Sequence, residues 1–296
     1  MSVPRRPAPG FTLVELLLAL ALGLTVVALA SSAMLLARQS MLLVDQSIQL
    51  QDRERLARDV LTRLLRQAGR GTTLAAQEPV VFGWDNAVYR KPEQLDFASV
   101  GNIRNGNRPA RCGTTRDSSC VNGSDIVLVQ SASTAGATHC GGGTPPARTM
   151  HILYVSRSST SAEPGLSCAY RSPNDWVSVP LIEGVESLQL LYGLQAQDAR
   201  FAHIAQWQHA AQLEVAGDAA ATRANWQRVR AVRIALVLRS LDGVAARAPS
   251  AVYPFGPAHA DLIPTDVGAT LALAPDQRLR RTVQWTVHLP AAGGQP

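Results

Sequence analysis

The chain has 296 residues, enough for one large or two ordinary domains with a substantial buried core. Hydrophobic residues make up 46% of the chain, aromatic residues only 5%, and the formal net charge is +6. This mild positive charge is spread along the chain without a basic run, so composition does not favour a nucleic-acid-binding protein.

The first predicted element is an apolar helix near the N-terminus. Residues 11–37 carry a single charged side chain, Glu15. A helix of that length spans about 40 Å, which is enough to cross a bilayer. Arg5 and Arg6 precede the segment and Arg38 follows it, so the denser positive cluster favours a cytoplasmic N-terminus and an exported remainder.

Three interpretations of this segment compete. It fits a plain transmembrane anchor, and it also fits a secretory signal with a small-x-small cleavage site at Ala28-Leu29-Ala30. Neither explains Glu15, because inserting an acid into an apolar helix costs roughly 2.5–3.5 kcal/mol. The third interpretation uses the string Gly10-Phe11-Thr12-Leu13-Val14-Glu15, which resembles the class III signal of type IV pilins and related pseudopilins.

This resemblance implies a processing reaction at the N-terminus. A prepilin peptidase in the membrane would cut between Gly10 and Phe11, so residues 1–10 would be a leader peptide. The same enzyme would methylate the new amino group of Phe11. Glu15 would then pair with the Phe11 amine of a neighbouring subunit, because two groups that are costly to bury alone neutralise each other. Phe11 and Glu15 are therefore the predicted subunit-assembly residues.

The helix is predicted to continue beyond the membrane segment. Residues 38–68 contain no Pro or Gly and show a four-residue apolar repeat. The repeat predicts a buried stripe formed by Leu56, Val60, Leu64 and Ala68, with Leu61 and Leu65 beside them. We expect a single helix over residues 11–68, ended by Gly69 and Gly71.

After Gly71, short apolar runs alternate with turns rich in Gly, Pro, Asn and Ser. This pattern predicts an α+β fold in which the long helix packs on a mainly antiparallel sheet. The predicted strands are Val80–Trp84, Leu95–Val100, Asp125–Ser131, His151–Ser156, Ser167–Arg171, Val185–Tyr192, Val232–Arg239 and Thr282–Leu289. Residues 102–123 and 196–225 are predicted loops, the second with an Ala-rich middle suited to a short helix. The exported domain would cover residues 69–290, followed by a frayed tail at 291–296.

The four cysteines are Cys112, Cys120, Cys140 and Cys168, all in the predicted exported domain. An even number in such a domain supports disulfides. Three pairings are possible, and the sequence alone does not decide between them. Proximity in one Gly-rich loop favours Cys112–Cys120, with Cys140–Cys168 as the second pair. The spacings lack the close Cys pairs of zinc sites, so neither a metal nor any other cofactor is predicted.

Catalytic motifs are missing from the sequence. It contains no G-x-S-x-G elbow, no H-E-x-x-H, no phosphate-binding G-x-x-x-x-G-K-[ST] and no helix-opening G-x-G-x-x-G. We therefore predict no catalytic residues and no enzyme activity. Arg228, Arg230 and Arg233 are close in sequence, but no aromatic residues interleave them, which argues against a DNA-binding surface.

Four later segments are similar to PilW-type minor pilins and narrow the family. They are 61–69 (LTRLLRQAG), 182–193 (IEGVESLQLLYG), 229–240 (VRAVRIALVLRS) and 279–283 (LRRTV). Together with the Gly10–Phe11 junction, the resemblance covers most of the chain.

The resemblance implies a pilin-like fold and a role in pilus assembly. PilW-type proteins prime type IV pilus assembly and sit at or near the tip, where they help present a large adhesin. The implied partners are other minor pilins, the major pilin, the tip adhesin, the prepilin peptidase and the inner membrane. The protein would be a single-pass inner-membrane protein with a periplasmic domain before it moves to the pilus tip at the cell surface. Whether such a pilus serves motility, adhesion or DNA uptake stays open.

Two alternatives also stay open. A GspJ-like minor pseudopilin of a type II secretion system would share the leader, the helix and the fold. A secreted or anchored binding module with an ordinary signal peptide would instead begin near Ser31 or keep its first residues.

Overall fold

The computed structural model describes residues 10, 12–70, 78–91, 121–132, 138–144, 148–172, 175–196, 203–244, 250–273 and 275–290. The chain divides into two compact units, Met1–Asp45 and Gln46–Pro296. A single helix, α1 (Leu13–Arg66), runs through the end of the first unit and into the second.

Within the second unit, α1 buries one stripe of side chains. The buried residues from this part of the helix are Gln46, Leu50, Ala57, Val60, Leu61, Leu64 and Leu65. The predicted stripe is thus confirmed except at Leu56, which is 50% exposed. Ala57 takes its place because it lies three and four residues before Val60 and Leu61, on the same helix face.

Helix α1 ends just before the glycines, as the sequence predicted. The helix stops at Arg66, and Gly69 adopts the left-handed conformation with φ of +72°. The Gly69 amide donates to the carbonyl oxygen of Gln130 at 2.9 Å, which ties the helix end to the following sheet. Gly71 lies outside the described residues.

The remainder of the second unit consists mainly of antiparallel strands. They are β1 (Val81–Trp84), β2 (Ile126–Ala132), β3 (Arg148–Arg157), β4 (Pro164–Arg171), β5 (Trp176–Glu183), β6 (Val185–Gln195), β7 (Ile204–Gln208), β8 (Val229–Gly243), β9 (Ala251–Val252), β10 (Leu271–Ala272) and β11 (Arg278–His288). Short helices are α2 (Ala210–Leu213), α3 (Ala219–Gln227), α4 (Pro257–Leu262) and a 3₁₀ turn at Val267–Ala269.

The strands form two main sheets and a small ribbon. The first sheet has the order β1-β2-β3-β4-β5, the second has the order β11-β8-β6-β7, and β9 pairs with β10. The chain passes from the first sheet to the second at Gly184, whose φ of +82° lets β5 end and β6 begin within one residue.

One hydrophobic core joins α1 to both sheets. It includes Leu61 and Leu64 of α1, Leu153 of the first sheet, and Leu190 and Leu236 of the second. A smaller cluster, which includes Trp84, Ile152 and Trp176, belongs to the first sheet. The central strand β8 is buried from residue 234 to residue 238, so both of its faces are covered.

The structure confirms an α+β fold with antiparallel sheets. Each predicted strand among the described residues is present, whereas Leu95–Val100 lies outside them, as do most of the predicted loop 102–123 and the tail 291–296. The prediction missed β5, whose Pro180 is tolerated because β5 is an edge strand. The loop prediction for residues 196–225 was wrong at β7, while α3 lies in its Ala-rich stretch.

Candidate functional site

The start of α1 is organised by Thr12 and Glu15. The Thr12 amide donates to Glu15 Oε2 at 2.9 Å, and the Thr12 hydroxyl donates to the same oxygen at 3.1 Å. The Glu15 amide donates in return to Thr12 Oγ1 at 3.3 Å. These reciprocal bonds form a capping box, which satisfies amides that have no partner within the helix. Gly10 is exposed, and Phe11 lies outside the described residues.

The helix that follows exposes its apolar surface in the first unit. It is long and apolar enough to cross a membrane by length and composition, and none of its most apolar window is buried. Two of its hydroxyls are satisfied internally: Thr25 donates to the Leu22 carbonyl oxygen and Ser32 to that of Leu29, each at 2.8 Å. These side chains therefore add little desolvation cost in an apolar environment.

In the second unit, three turns of α1 are joined to β11 by side chains. Glu54 pairs with Arg281 at 2.7 Å, and the Arg58 guanidinium lies 4.9 Å from the centroid of the Trp285 ring. Thr62 accepts a hydrogen bond from Trp285 Nε1 at 3.2 Å. These contacts fix the rotation of the helix against the sheet as well as its depth.

An ion-pair network holds the two sheets together at one end. It consists of Glu163, Glu186, Arg239, Asp276, Arg278 and Arg280. Glu163 directly precedes β4 of the first sheet, whereas the other members lie in or beside β6, β8 and β11 of the second. The three arginines balance the three acids, so the network carries no net charge.

Arg280 is the most buried cation of this network. Its guanidinium makes two bonds to Glu186, at 2.7 and 3.0 Å, and two bonds to Asp276, both at 2.8 Å. Burial alone would lower the pKa of Arg280, but these carboxylates raise it above its ordinary value. The hydrogen bonds from Arg280 lower the pKa of Asp276 to about 2. The pKa of Glu163 is also lowered, because Arg239 and Arg278 outweigh the opposing effect of burial.

A disulfide joins Cys140 to Cys168, whereas Cys112 and Cys120 lie outside the described residues. The bridge connects the loop at 138–144 to β4 of the first sheet. Beside it, His139 stacks on Tyr170 with ring centroids 4.1 Å apart. Within the described ranges, no group of three or more His, Cys, Asp or Glu side chains is arranged to hold a metal ion.

Three neighbouring arginines, in β8 or directly before it, bind other groups of the same protein. Arg228 donates to the Gln195 carbonyl oxygen, and Arg230 donates to the Gln195 side chain. Arg233 lies over the Trp207 ring at 4.2 Å from its centroid. Their cationic groups stabilise the β6–β7–β8 part of the second sheet.

Sequence reasoning identified Glu15 but missed its partner Thr12 and the ion-pair network. The Thr-x-x-Glu spacing at residues 12–15 is itself a capping signal and could have indicated the bond. The network had no comparable signal, since Glu163 and Arg280 are far apart in sequence and meet only in the folded sheets.

Two family models match the chain. The model described as "Type IV Pilus-assembly protein W" matches residues 152–291, and the "Prokaryotic N-terminal methylation motif" matches residues 5–31. Among curated proteins, none matches this sequence. Among solved structures, a type IV-like pilin from Thermus thermophilus is 16% identical, with a TM-score of 0.42, over 81% of this chain and 96% of that chain.

Proposed function

Because this chain belongs to the PilW-type minor pilins of type IV pili, we propose that it primes pilus assembly and forms part of the complex at the pilus tip. In that position it would contact other minor pilins and the major pilin and help present a tip adhesin. The observation that carries this proposal is the apolar helix of the first unit, which is exposed along its length and begins with the Thr12–Glu15 capping box.

The proposed maturation begins with cleavage between Gly10 and Phe11 and methylation of the Phe11 amine. The match of the N-terminal methylation motif to residues 5–31 supports this step. The exposed helix would hold the processed subunit in the inner membrane by residues 11–37, with the residues from 69 onward exported. During assembly the same apolar surface would leave lipid and pack against the helices of neighbouring subunits.

Glu15 would set the stagger of this packing. Its carboxylate would pair with the Phe11 amine of a neighbouring subunit, and misregister would leave both charges unpaired in an apolar bundle. The capping box supports this role, because Thr12 holds Oε2 in a defined place at the end of the helix.

The experiment compares pili from cells that express the wild-type protein, Glu15→Ala, Glu15→Gln and Asp52→Ala. Gln is a suitable control because it can still accept the Thr12 amide bond but carries no charge. Asp52 is an exposed acid of α1 in the second unit and controls for loss of a carboxylate as such. Membrane fractionation, the mass of the N-terminal peptide and the amount of protein in sheared pili are measured for each.

We expect all four proteins to reach the membrane. The wild-type and Asp52→Ala proteins should enter pili with a methylated Phe11 as first residue, whereas both Glu15 variants should be depleted from pili. Normal entry of Glu15→Gln would show that capping alone matters and would refute charge pairing. A mature chain that begins near Ser31, or that retains its first residues, would refute the proposed maturation.

The tip position is tested by the number of copies per fibre. A tip subunit should be present in a fixed number per unsheared pilus, whatever the pilus length, as measured by quantitative mass spectrometry against the major pilin. Copies that rise in proportion to pilus length would place the subunit along the shaft and contradict a tip role.

A further inference from the structure

A second polar cluster lies at the junction of the two sheets, away from the ion-pair network. Asp85 directly follows β1 and Asp125 directly precedes β2. Trp84 and Ile126 are partners in the antiparallel register, so Asp85 and Asp125 occupy the next facing positions. Only 3% of Asp85 and 2% of Asp125 is exposed. Two like charges at facing positions of an antiparallel pair repel each other, and the effect is larger when they are buried.

Asp125 binds a strand of the second sheet, and Asp85 binds the short helix that follows the edge strand of that sheet. Asp85 accepts from the amides of Ala210 at 2.9 Å and Ala211 at 2.6 Å, which begin α2 directly after β7. Asp125 accepts from the amide of Leu190 in β6 at 2.7 Å and from the amide of Asn86 at 3.0 Å. The two side chains are therefore bridges between the sheets, and their charge state affects how firmly the sheets are held.

A buried hydroxyl lies beside the pair. Tyr192 of β6 is fully buried, and within the described part of the chain its hydroxyl has no hydrogen-bond partner. Burial raises the pKa of this phenol, and the charges of Asp125 and Asp85 raise it further, so the Tyr192 hydroxyl stays protonated beside the pair.

The other titratable groups of the cluster come from two further elements. Asp266 accepts from the Asn86 side chain at 2.9 Å, and its second oxygen lies 3.6 Å from His209 Nδ1. His209 in turn lies beside His259 of α4, with ring centroids 5.3 Å apart. Burial lowers the pKa of both imidazoles, and Arg233 lowers that of His259 further, so neither ring supplies a full positive charge at neutral pH.

We propose that Asp85 and Asp125 are a coupled buried pair that retains a proton at neutral pH and forms a proton-dependent latch between the two sheets. The latch holds α2 and β6 against the β1–β2 pair, and it loosens as rising pH removes a proton from the pair. Burial, followed by the neighbouring Asp266 charge, raises the pKa of Asp85 to about 7. Burial and the charges of Asp85 and Asp266 raise the pKa of Asp125 as well.

The sign of the effect follows from these raised pKa values. The closed latch retains a proton that the open or unfolded chain, with ordinary carboxyl groups, has released. Closure is therefore favoured in acid, and it weakens as pH rises from about 4 to about 7. Across that window the opening constant should rise by up to about tenfold per pH unit for one proton.

Hydrogen exchange of the full chain in detergent micelles tests this proposal. The amides of Leu190, Ala210 and Ala211 are followed from pH 5 to pH 8, and their rates are corrected for the intrinsic pH dependence of exchange. In the wild-type protein we expect the opening constant to rise with pH and to level off above the pKa of Asp85. A constant that does not change with pH in the folded wild-type protein would overturn the proposal without any variant.

Two variants and a control sharpen the test. Asp85→Asn should weaken the pH dependence, because that side chain is neutral throughout and its charge no longer raises the pKa of Asp125. The double variant Asp85→Asn/Asp125→Asn should abolish it, because neither side chain then titrates. Asp175→Asn, which changes a carboxylate with a 61% exposed side chain directly before β5, should leave the pH dependence unchanged. A folded Asp85→Asn protein that keeps the wild-type pH dependence would refute the role of this pair.

Discussion

Replacement of Arg280 by Met should destabilise the second unit strongly. The side chain of Arg280 is only 3% exposed and binds Glu186, 5% exposed, through two bonds. Removing the guanidinium leaves a buried carboxylate with Arg239 as its one remaining ion-pair partner in the described network. Breaking a buried ion pair in this way costs about 3–5 kcal/mol. For a unit of this size, that cost corresponds to a decrease in Tm of roughly 6–20 °C.

The measurement is thermal and urea unfolding of the full chain in detergent, followed by tryptophan fluorescence. Lys91→Met is the matched control, because Lys91 pairs with Asp175 at 2.7 Å but both side chains are more than half exposed. Its unfolding midpoint should match the wild type, since exposed ion pairs contribute little. The unfolding midpoint of Arg280→Lys should lie between those of Arg280→Met and Lys91→Met, because lysine keeps the charge but lacks the planar guanidinium. If Arg280→Met and Lys91→Met have the same unfolding midpoint, the ion-pair network does not hold the sheets together and the reasoning fails.

Two further predictions concern packing and pH. Gly83→Ala should lower the free energy of unfolding by about 1–3 kcal/mol or more, because its Cβ would overlap the hydroxyl of the fully buried Tyr192; an unchanged urea midpoint would contradict this. The pKa of Asp276 is lowered to about 2 by Arg280, so its contribution to stability is present above about pH 4 and is lost as pH falls towards 2. Asp276→Asn should therefore be less stable than the wild type at pH 6 and should lose less stability on acidification, which a series of unfolding curves at decreasing pH would reveal.

Much of the fold was predictable because its signals are local. The apolar run and the four-residue repeat predicted α1, and short apolar runs between turns predicted each described strand except β5, β7 and the two-residue strands β9 and β10. β5 was missed because Pro180 lowers the strand signal, although an edge strand does not need every backbone amide for pairing. Leu56 was misassigned for a similar reason: a four-residue repeat drifts around the helix, so its first member left the buried face.

The polar clusters were not predictable, because their members are brought together only by strand pairing. Asp85 and Asp125 face each other across the β1–β2 pair, and no local pattern in the sequence distinguishes them from exposed acids. Arg239 ends a predicted strand, and only the proximity of Glu163 and Glu186 in the folded chain makes that position an ion-pair site. The sequence indicates where charges are costly when they interrupt an apolar run, but not where distant charges meet.

Glu15 could be predicted because it is the one acid in an apolar helix, and the capping box now changes how its energetic cost is understood. A bare carboxylate in lipid would strongly oppose membrane storage of the subunit. Here the Thr12 amide and hydroxyl already bind Oε2, and the helix N-terminus adds a favourable dipole. The carboxylate is thus partly compensated before any neighbour arrives. We infer that assembly adds a charged partner to a carboxylate that Thr12 already orients. Pairing then selects the axial offset between subunits, while the free-energy cost of keeping Glu15 in the membrane stays moderate.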